Sequence, residues 1–306
     1  MEPVIQVSKL RKHFRIRTKA PGVGGSIRSL VRPAYRVLEA VRDIGFDVEP
    51  GEVLAFIGPN GAGKSTTIKL ITGILFPDAG TVNVLGLNPH RSRKALAYRI
   101  GTVFGQKSQL WFHLPPADSF HLLGTIYDLT RAETDRRVDF LCDVFEIRDL
   151  LDQPVRKLSL GQRIRCEMAA SLIHRPQILF LDEPSIGLDV VVKQRIRDLI
   201  GRINREEGVT IFLTSHDAGD IEKICRRAMV INHGRIVWDG TVKEMKYSLM
   251  SRRIVEVKMD GPAVIDMAGS VIASLMRQSG IQDITISLPP MEEVISHIYG
   301  RDEPIG

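Results

Sequence analysis

Cysteine is scarce in this chain of 306 residues, which carries only Cys142, Cys166 and Cys225. The three lie far apart and form neither a CxxC pair nor a zinc spacing. That excludes a disulfide-stapled scaffold and a zinc module, and it fits reduced structural thiols in a cytosolic protein. Long apolar runs are missing too. Leu70–Phe76 is broken by Thr72 and Gly73, and Ile178–Leu181 is short, whereas a membrane span needs roughly 20 apolar residues. The chain is therefore expected to dock at a bilayer, if it works at one, and not to cross it. Met1-Glu2-Pro3 opens no basic segment leading into an apolar core, so no secretory leader is expected. Compositional extremes are absent: 43% hydrophobic and 25% charged residues exclude a disordered or collagen-like chain. The formal charge of +6 is modest and hints at an anionic partner without naming one.

One stretch lacks acid altogether. Arg15–Arg36 holds Arg15, Arg17, Lys19, Arg28, Arg32 and Arg36 and no carboxylate, so it accounts for the whole net charge. Ile27, Leu30 and Val31 fall at i, i+3, i+4 within it. A short basic amphipathic helix against an anionic membrane surface or a partner's surface and a solvated basic loop are all open readings. No nucleic-acid motif accompanies the charge, so no nucleic acid is expected as partner.

The remainder alternates strand and helix. Residues 4–7 and Val37–Asp47 alternate like strands. Val53–Ile57, Ile178–Leu181 and Val209–Leu213 are short buried-strand runs, and residues 115–150 read as charged helices. This βαβ pattern predicts an α/β fold with a mostly parallel sheet. Residues 227–240 predict a hairpin turning at His233-Gly234. Beyond about Lys246 the pattern predicts a small C-terminal α/β appendage: a strand at Arg253–Met259, a helix over 263–278, a strand at Ile284–Leu288 and a helix at Pro290–Tyr299.

Gly58-Pro59-Asn60-Gly61-Ala62-Gly63-Lys64-Ser65-Thr66 fits G-x-x-x-x-G-K-[ST], between a buried strand and a helix. Glycines let backbone N–H groups turn toward phosphates, Lys64 reaches the β- and γ-phosphates, and the Ser65 hydroxyl suits Mg²⁺. The following helix adds its positive end. Ile178–Leu181 runs into Asp182 and Glu183. Asp182 is placed to hold Mg²⁺ through water, and Glu183 to polarise an attacking water. Ser159 and Gln162 form a capping-box pattern opening a helix toward Ile173.

Together these motifs resemble the ATPase subunits of ABC transporters, over roughly residues 4–245. Gly58–Thr66 looks like the Walker A loop, Leu158–Gln162 like the LSGGQ signature, and Ile178–Glu183 like Walker B with its catalytic glutamate. Ser185–Asp189 looks like the D-loop and His216 like the switch histidine. Gln106 looks like the Q-loop glutamine, which the resemblance sets among the catalytic and metal-binding residues. Leu160 departs from the signature, standing where the family has its first glycine. The family's γ-phosphate contacts fall on Ser159 and Gly161, which are both present. The adenine-stacking aromatic is either Tyr35, by its distance to the following strand, or Phe14, by its place after the first strand; the spacing leans toward Tyr35.

The resemblance implies a P-loop NTPase core, with an antiparallel β subdomain and a helical subdomain at about 107–175. This ATP-binding domain would cover residues 1–245, with the basic insertion 15–36, and a C-terminal domain residues 246–306. It implies ATP and Mg²⁺ as ligands. It also implies a second ATPase chain, a homodimer by default, in which Ser159, Gly161, Gln162 and Asp189 meet the partner's nucleotide. Finally it implies a separate transmembrane permease, a place at the cytoplasmic face of the membrane, and the exporter-type branch, with an importer ATPase or a soluble non-transport ABC ATPase as the alternatives. Trp111 and Phe112, after the Q-loop, read equally as docking anchors for that permease or as core.

Overall fold

Two kinds of apolar pattern build two kinds of sheet. The computed structural model describes residues 2–18, 34–104, 108–215, 217–247, 253–259, 261–267, 283–287 and 291–299. In β1 (Ile5–Thr18), Ile5 and Val7 are buried while Gln6 and Ser8 face out. That alternation suits an antiparallel sheet with one wet face. β1 pairs with β2 (Ala34–Val48) in a long hairpin. β3 (Val53–Ile57) is buried at every residue, as a parallel strand covered on both faces must be. The chain continues through α1 (Lys64–Ile71), β4 (Ala79–Val84), α2 (Arg93–Ala97) and β5 (Ile100–Phe104). A helical segment follows, with α3 (Pro116–Ile126), α4 (Arg131–Phe145) and α5 (Leu160–Ser171). Next come β6 (Ile178–Asp182), α6 (Val190–Glu207), β7 (Thr210–Ser215) and α7 (Ala218–Ile224). The hairpin β8 (Arg227–Asn232) and β9 (Arg235–Thr241) leads to α8 (Val242–Tyr247). Last are β10 (Arg253–Met259), β11 (Gly261–Met267), β12 (Asp283–Ser287) and α9 (Met291–Tyr299).

The central sheet has the order β5-β6-β7-β3-β8-β9, parallel except for β9. Its strands split their side chains between two cores. Ala55, Leu179, Leu181, Ile211 and Leu213 face the helical segment. Leu54, Phe56, Ile178, Phe180 and Phe212 face the antiparallel sheet and α1. On that second face Phe46, Phe56, Phe212 and Phe180 pack in series, with neighbouring ring centroids 5.3–6.0 Å apart. Each buried phenyl ring contributes about 1.5–3 kcal/mol. The consequence for function is directional: β3, β6 and β7 all end on one edge, where ligands bind in open α/β sheets.

The structure corrects three expectations. β1 does not stop at Val7. It runs to Thr18, and the pairs Arg15↔Val37, Ile16↔Arg36 and Arg17↔Tyr35 make both ends of the basic stretch part of the hairpin. Residues 19–33, including Ile27, Leu30 and Val31, lie outside the described residues. Residues 263–267 are not helical. They lie in edge strand β11, where Val255 pairs with Ile265 and where the missing N–H of Pro262 is tolerated. Third, the boundary suggested near 246 does not set α9 apart. Met291, Val294, Ile295 and Ile298 are buried in the main core, and Asn232 Nδ2 donates to the Tyr299 carbonyl at 3.0 Å. The β8–β9 hairpin turns where predicted, with His233 and Gly234 both at positive φ (45° and 79°).

Candidate functional site

The loop after β3 wraps the start of α1. Gly63 holds φ at 113°, and a Cβ on it would lie 2.4 Å from the Ala40 carbonyl oxygen, so only glycine fits. Lys64 follows, only 5% exposed. Its ammonium donates to the Gly58 carbonyl at 2.6 Å and the Pro59 carbonyl at 3.3 Å, and lies 3.5 Å from Glu183 Oε1. The Ser65 hydroxyl donates to Asp182 Oδ1 at 3.2 Å. The two motifs, 117 residues apart, thus meet side by side.

These residues line one cleft of about 710 Å³ with Pro59, Asn60, Gly61, Gly63, Thr66, Asp182, Glu183, Ile74, Phe104 and Ile186. Phe14, Leu38 and Ala40 close another part of its wall. Tyr35 is not among the lining residues and is 58% exposed. The hairpin register explains this: Tyr35 pairs with Arg17, three residues beyond the Phe14↔Leu38 pair that borders the cleft. Gly58 and Ala62 complete the loop, where Ala62 is buried and its carbonyl accepts from Gly234 N.

Thr214 is a site residue that the motifs alone do not reveal. Fully buried, its hydroxyl donates to Asp182 Oδ1 at 2.6 Å and accepts from the Glu183 N–H at 3.1 Å. The Thr214 carbonyl accepts from the same N–H at 3.1 Å. Glu183 sits at φ 53°, a left-handed conformation that costs a non-glycine residue about 1–2 kcal/mol. The only sequence signal for Thr214 was a hydroxyl residue at the end of a buried strand. Gln106 and His216 lie outside the described residues.

The signature residues occupy a different surface. Ser159 caps α5: its hydroxyl accepts from Gln162 N at 3.3 Å, and Gln162 Oε1 accepts from Ser159 N at 2.9 Å. Gly161 is buried, and a Cβ there would press 2.6 Å from Val192 Cγ1. Asp189 caps α6 by accepting from Val192 N at 2.9 Å. Beside them Leu160, Ile186, Val190 and Val191 are exposed, the two valines by 78%.

Trp111 and Phe112 are exposed, 40% and 50%, so they are not core. Their loop is pinned to the signature segment. The Phe112 carbonyl accepts from Arg156 N at 3.0 Å, and the Leu114 carbonyl from Val155 N at 3.1 Å. Buried Glu167 of α5 accepts from Gln109 N at 2.9 Å and from the Ser108 hydroxyl. Burial raises the Glu167 pKa against the lowering effect of these bonds.

Comparison with known proteins bears directly on this arrangement. Residues 41–186 match the family model described as ABC transporter. The chain is 31% identical over 210 residues to the ABC transporter ATP-binding protein NatA of Bacillus subtilis, spanning 69% of this chain and 85% of that protein. The chain belongs to the ABC transporter ATP-binding family. Among other family members, the Nod factor export ATP-binding protein I of Ralstonia nicotianae is 31% identical over 272 residues, covering 85% and 81% of the two chains. Of solved structures, cbiO1 of Clostridium perfringens, part of the ABC transporter complex cbiONQ, superposes with a TM-score of 0.66 at 27% identity, covering 80% of this chain and 90% of that one. The chain is thus an ABC-type ATPase of the exporter-type branch that hydrolyses ATP, and its glycine loop and Asp182-Glu183 pair line one cleft. Among the described residues no helix is long and apolar enough to cross a membrane.

Proposed function

We propose that this ATPase binds Mg·ATP in the Lys64–Glu183 cleft, hydrolyses it between two copies of the chain, and so drives a separate export permease. The observation that carries the reading is the convergence of Lys64, Ser65, Asp182 and Glu183 in one cleft. Lys64 supplies positive charge to the β- and γ-phosphates. Ser65 and Asp182 offer hard oxygen donors side by side, a set that suits Mg²⁺ completed by phosphate and water. Among the described residues there is no cluster of His, Cys, Asp or Glu that would hold a metal unaided. Bound Mg²⁺ would neutralise charge on the phosphates.

Glu183 accepts the proton of the attacking water, its carboxylate aimed into the cleft by the Thr214 clamp. Phe14 stacks on the adenine, supported by its place in the cleft wall, while Tyr35 stands off it. His216 and Gln106 serve as the γ-phosphate contact and the metal-side glutamine on the strength of the motif match alone. Ser159, Gly161, Gln162 and Asp189 meet the nucleotide of the second copy, whose phosphates the positive end of α5 attracts. Exposed Trp111 and Phe112 anchor the permease. The basic segment Arg15–Arg36 favours the anionic cytoplasmic face of the membrane, so the subunit works there peripherally.

Glu183→Gln tests the central step. The amide keeps the shape but takes no proton, so ATP affinity should persist while turnover falls. Unimpaired turnover would overturn the assignment.

A further inference from the structure

Behind the cleft lies a buried charged cluster that no step described so far uses. Asp220, 2% exposed in the first turn of α7, accepts three hydrogen bonds from three elements. The Ser185 hydroxyl, two residues past Glu183, donates to Oδ2 at 2.6 Å. The Ser215 hydroxyl, at the end of β7 and next to His216 in sequence, donates to the same oxygen at 2.7 Å. Arg197 of α6, 8% exposed, donates through Nε to Oδ1 at 2.6 Å. The guanidinium is fixed in turn by Asp217 Oδ1 at 2.8 Å, and Lys193 donates to Asp217 Oδ2 at 2.6 Å. Gly219 makes room for it: a Cβ there would lie 2.8 Å from Arg197 Nη2.

The end of β7 therefore grips the segment after β6 twice. Its side chains alternate across the strand. Thr214 holds Asp182 and the Glu183 N–H, while Ser215 points the other way and joins Ser185 through Asp220. Glu183, in its strained left-handed conformation, stands between these two ties. Such strain persists only where the surroundings over-determine it.

We infer that Asp220, held by Arg197, is a positioning residue for hydrolysis: by tying Ser185 to the end of β7, it fixes the backbone conformation that aims Glu183 at the attacking water. This rests on the reading of Glu183 as the group that takes the proton. Among the described residues the Asp220 carboxylate hydrogen-bonds Ser185, Ser215 and Arg197, none of which lines the cleft, so its loss should act on the rate of the chemical step and not on ATP binding.

The test compares Asp220→Asn, Ser185→Ala and Ser185→Thr in the full chain. Turnover at saturating ATP, KM, ATP affinity by direct titration and thermal midpoint are measured for each. Asp220→Asn should lower kcat by at least about tenfold, the scale of a small misplacement in an active site. Ser185→Ala should lower it in the same direction, and Ser185→Thr, which restores the hydroxyl, should recover it. KM and ATP affinity should stay within about twofold, because Lys64 and the P-loop are untouched. Wild-type kcat in Ser185→Ala, or a loss of ATP affinity that accounts for the whole loss of rate, would overturn the inference. If Asp220→Asn does not fold, the Ser185→Ala and Ser185→Thr pair decides, since it leaves Arg197, Asp220 and Ser215 in place. Glu183→Gln run alongside separates the two claims. Full turnover there sinks the reading of Glu183 itself, whereas an inactive Glu183→Gln beside a fully active Ser185→Ala sinks only the role of Asp220.

Discussion

The Lys64 cleft and the edge around Ser159 both lie at the start of a helix, and they are finished differently. In the cleft, Lys64 is buried, and the contacts of Lys64, Ser65 and Asp182 end on groups of the same chain: loop carbonyls, Glu183, Asp182 and Thr214. At the edge, Ser159 satisfies its own helix cap and stays exposed, with Leu160, Ile186, Val190 and Val191 around it. The cleft face is satisfied within the chain. The other presents a helix N-terminus and apolar surface outward, the form expected of a half-site that a second molecule completes. Leu160 in place of glycine increases that apolar surface instead of filling the cleft.

The largest effect should come from removing the buried cation of the cleft, Lys64. Lys64→Ala should reduce both ATP affinity and turnover by about two orders of magnitude or more, as loss of a preorganised phosphate contact does. Isothermal titration and phosphate release check it. Glu183→Gln comes next, with turnover down by about 10²-fold or more and affinity nearly kept. Phe14→Ala should weaken ATP binding by about tenfold, the worth of one base–aromatic stack, while Tyr35→Ala should leave it unchanged. Equal effects from the two would reopen the choice between them.

The smallest effect concerns stability and lies far from either face. His174 is half-buried, stacks on Tyr127 at 3.8 Å between ring centroids, and is paired through Nε2 with the Ile100 carbonyl at 3.0 Å. Burial depresses its pKa to about 4. The folded state keeps the ring neutral while the unfolded chain binds a proton below its ordinary pKa of about 6.5. Its contribution is therefore fully present above pH 6.5 and is lost as pH falls from there toward 4. In His174→Asn the thermal midpoint should fall less between pH 7 and 5 than in wild type. An identical pH slope would remove His174 from the account.

Most of the cleft was legible in the sequence because its chemistry is local. A glycine loop needs contiguous residues, and Asp182-Glu183 closes an apolar strand. What stayed hidden depends on register and on side chains brought together by packing. Spacing along the chain favoured Tyr35, yet cross-strand pairing decides which aromatic borders the cleft, and that is fixed by the whole β1–β2 hairpin. Thr214, Asp220 and Arg197 look like ordinary residues until β6, β7, α6 and α7 come together. The helix expected over 263–278 misread Val264 and Ile265, which pair in β11. The apolar positions of α9 were recognisable, but not that the helix packs into the main core.

The claim that the signature edge is completed by a second copy is tested most directly by sedimentation of Glu183→Gln, in which ATP binds and is not consumed. Without nucleotide the variant should sediment as a monomer, and with Mg·ATP as a dimer. Adding Val190→Lys and Val191→Lys should abolish the dimer while leaving ATP bound. A variant saturated with ATP that sediments only as a monomer would contradict the account.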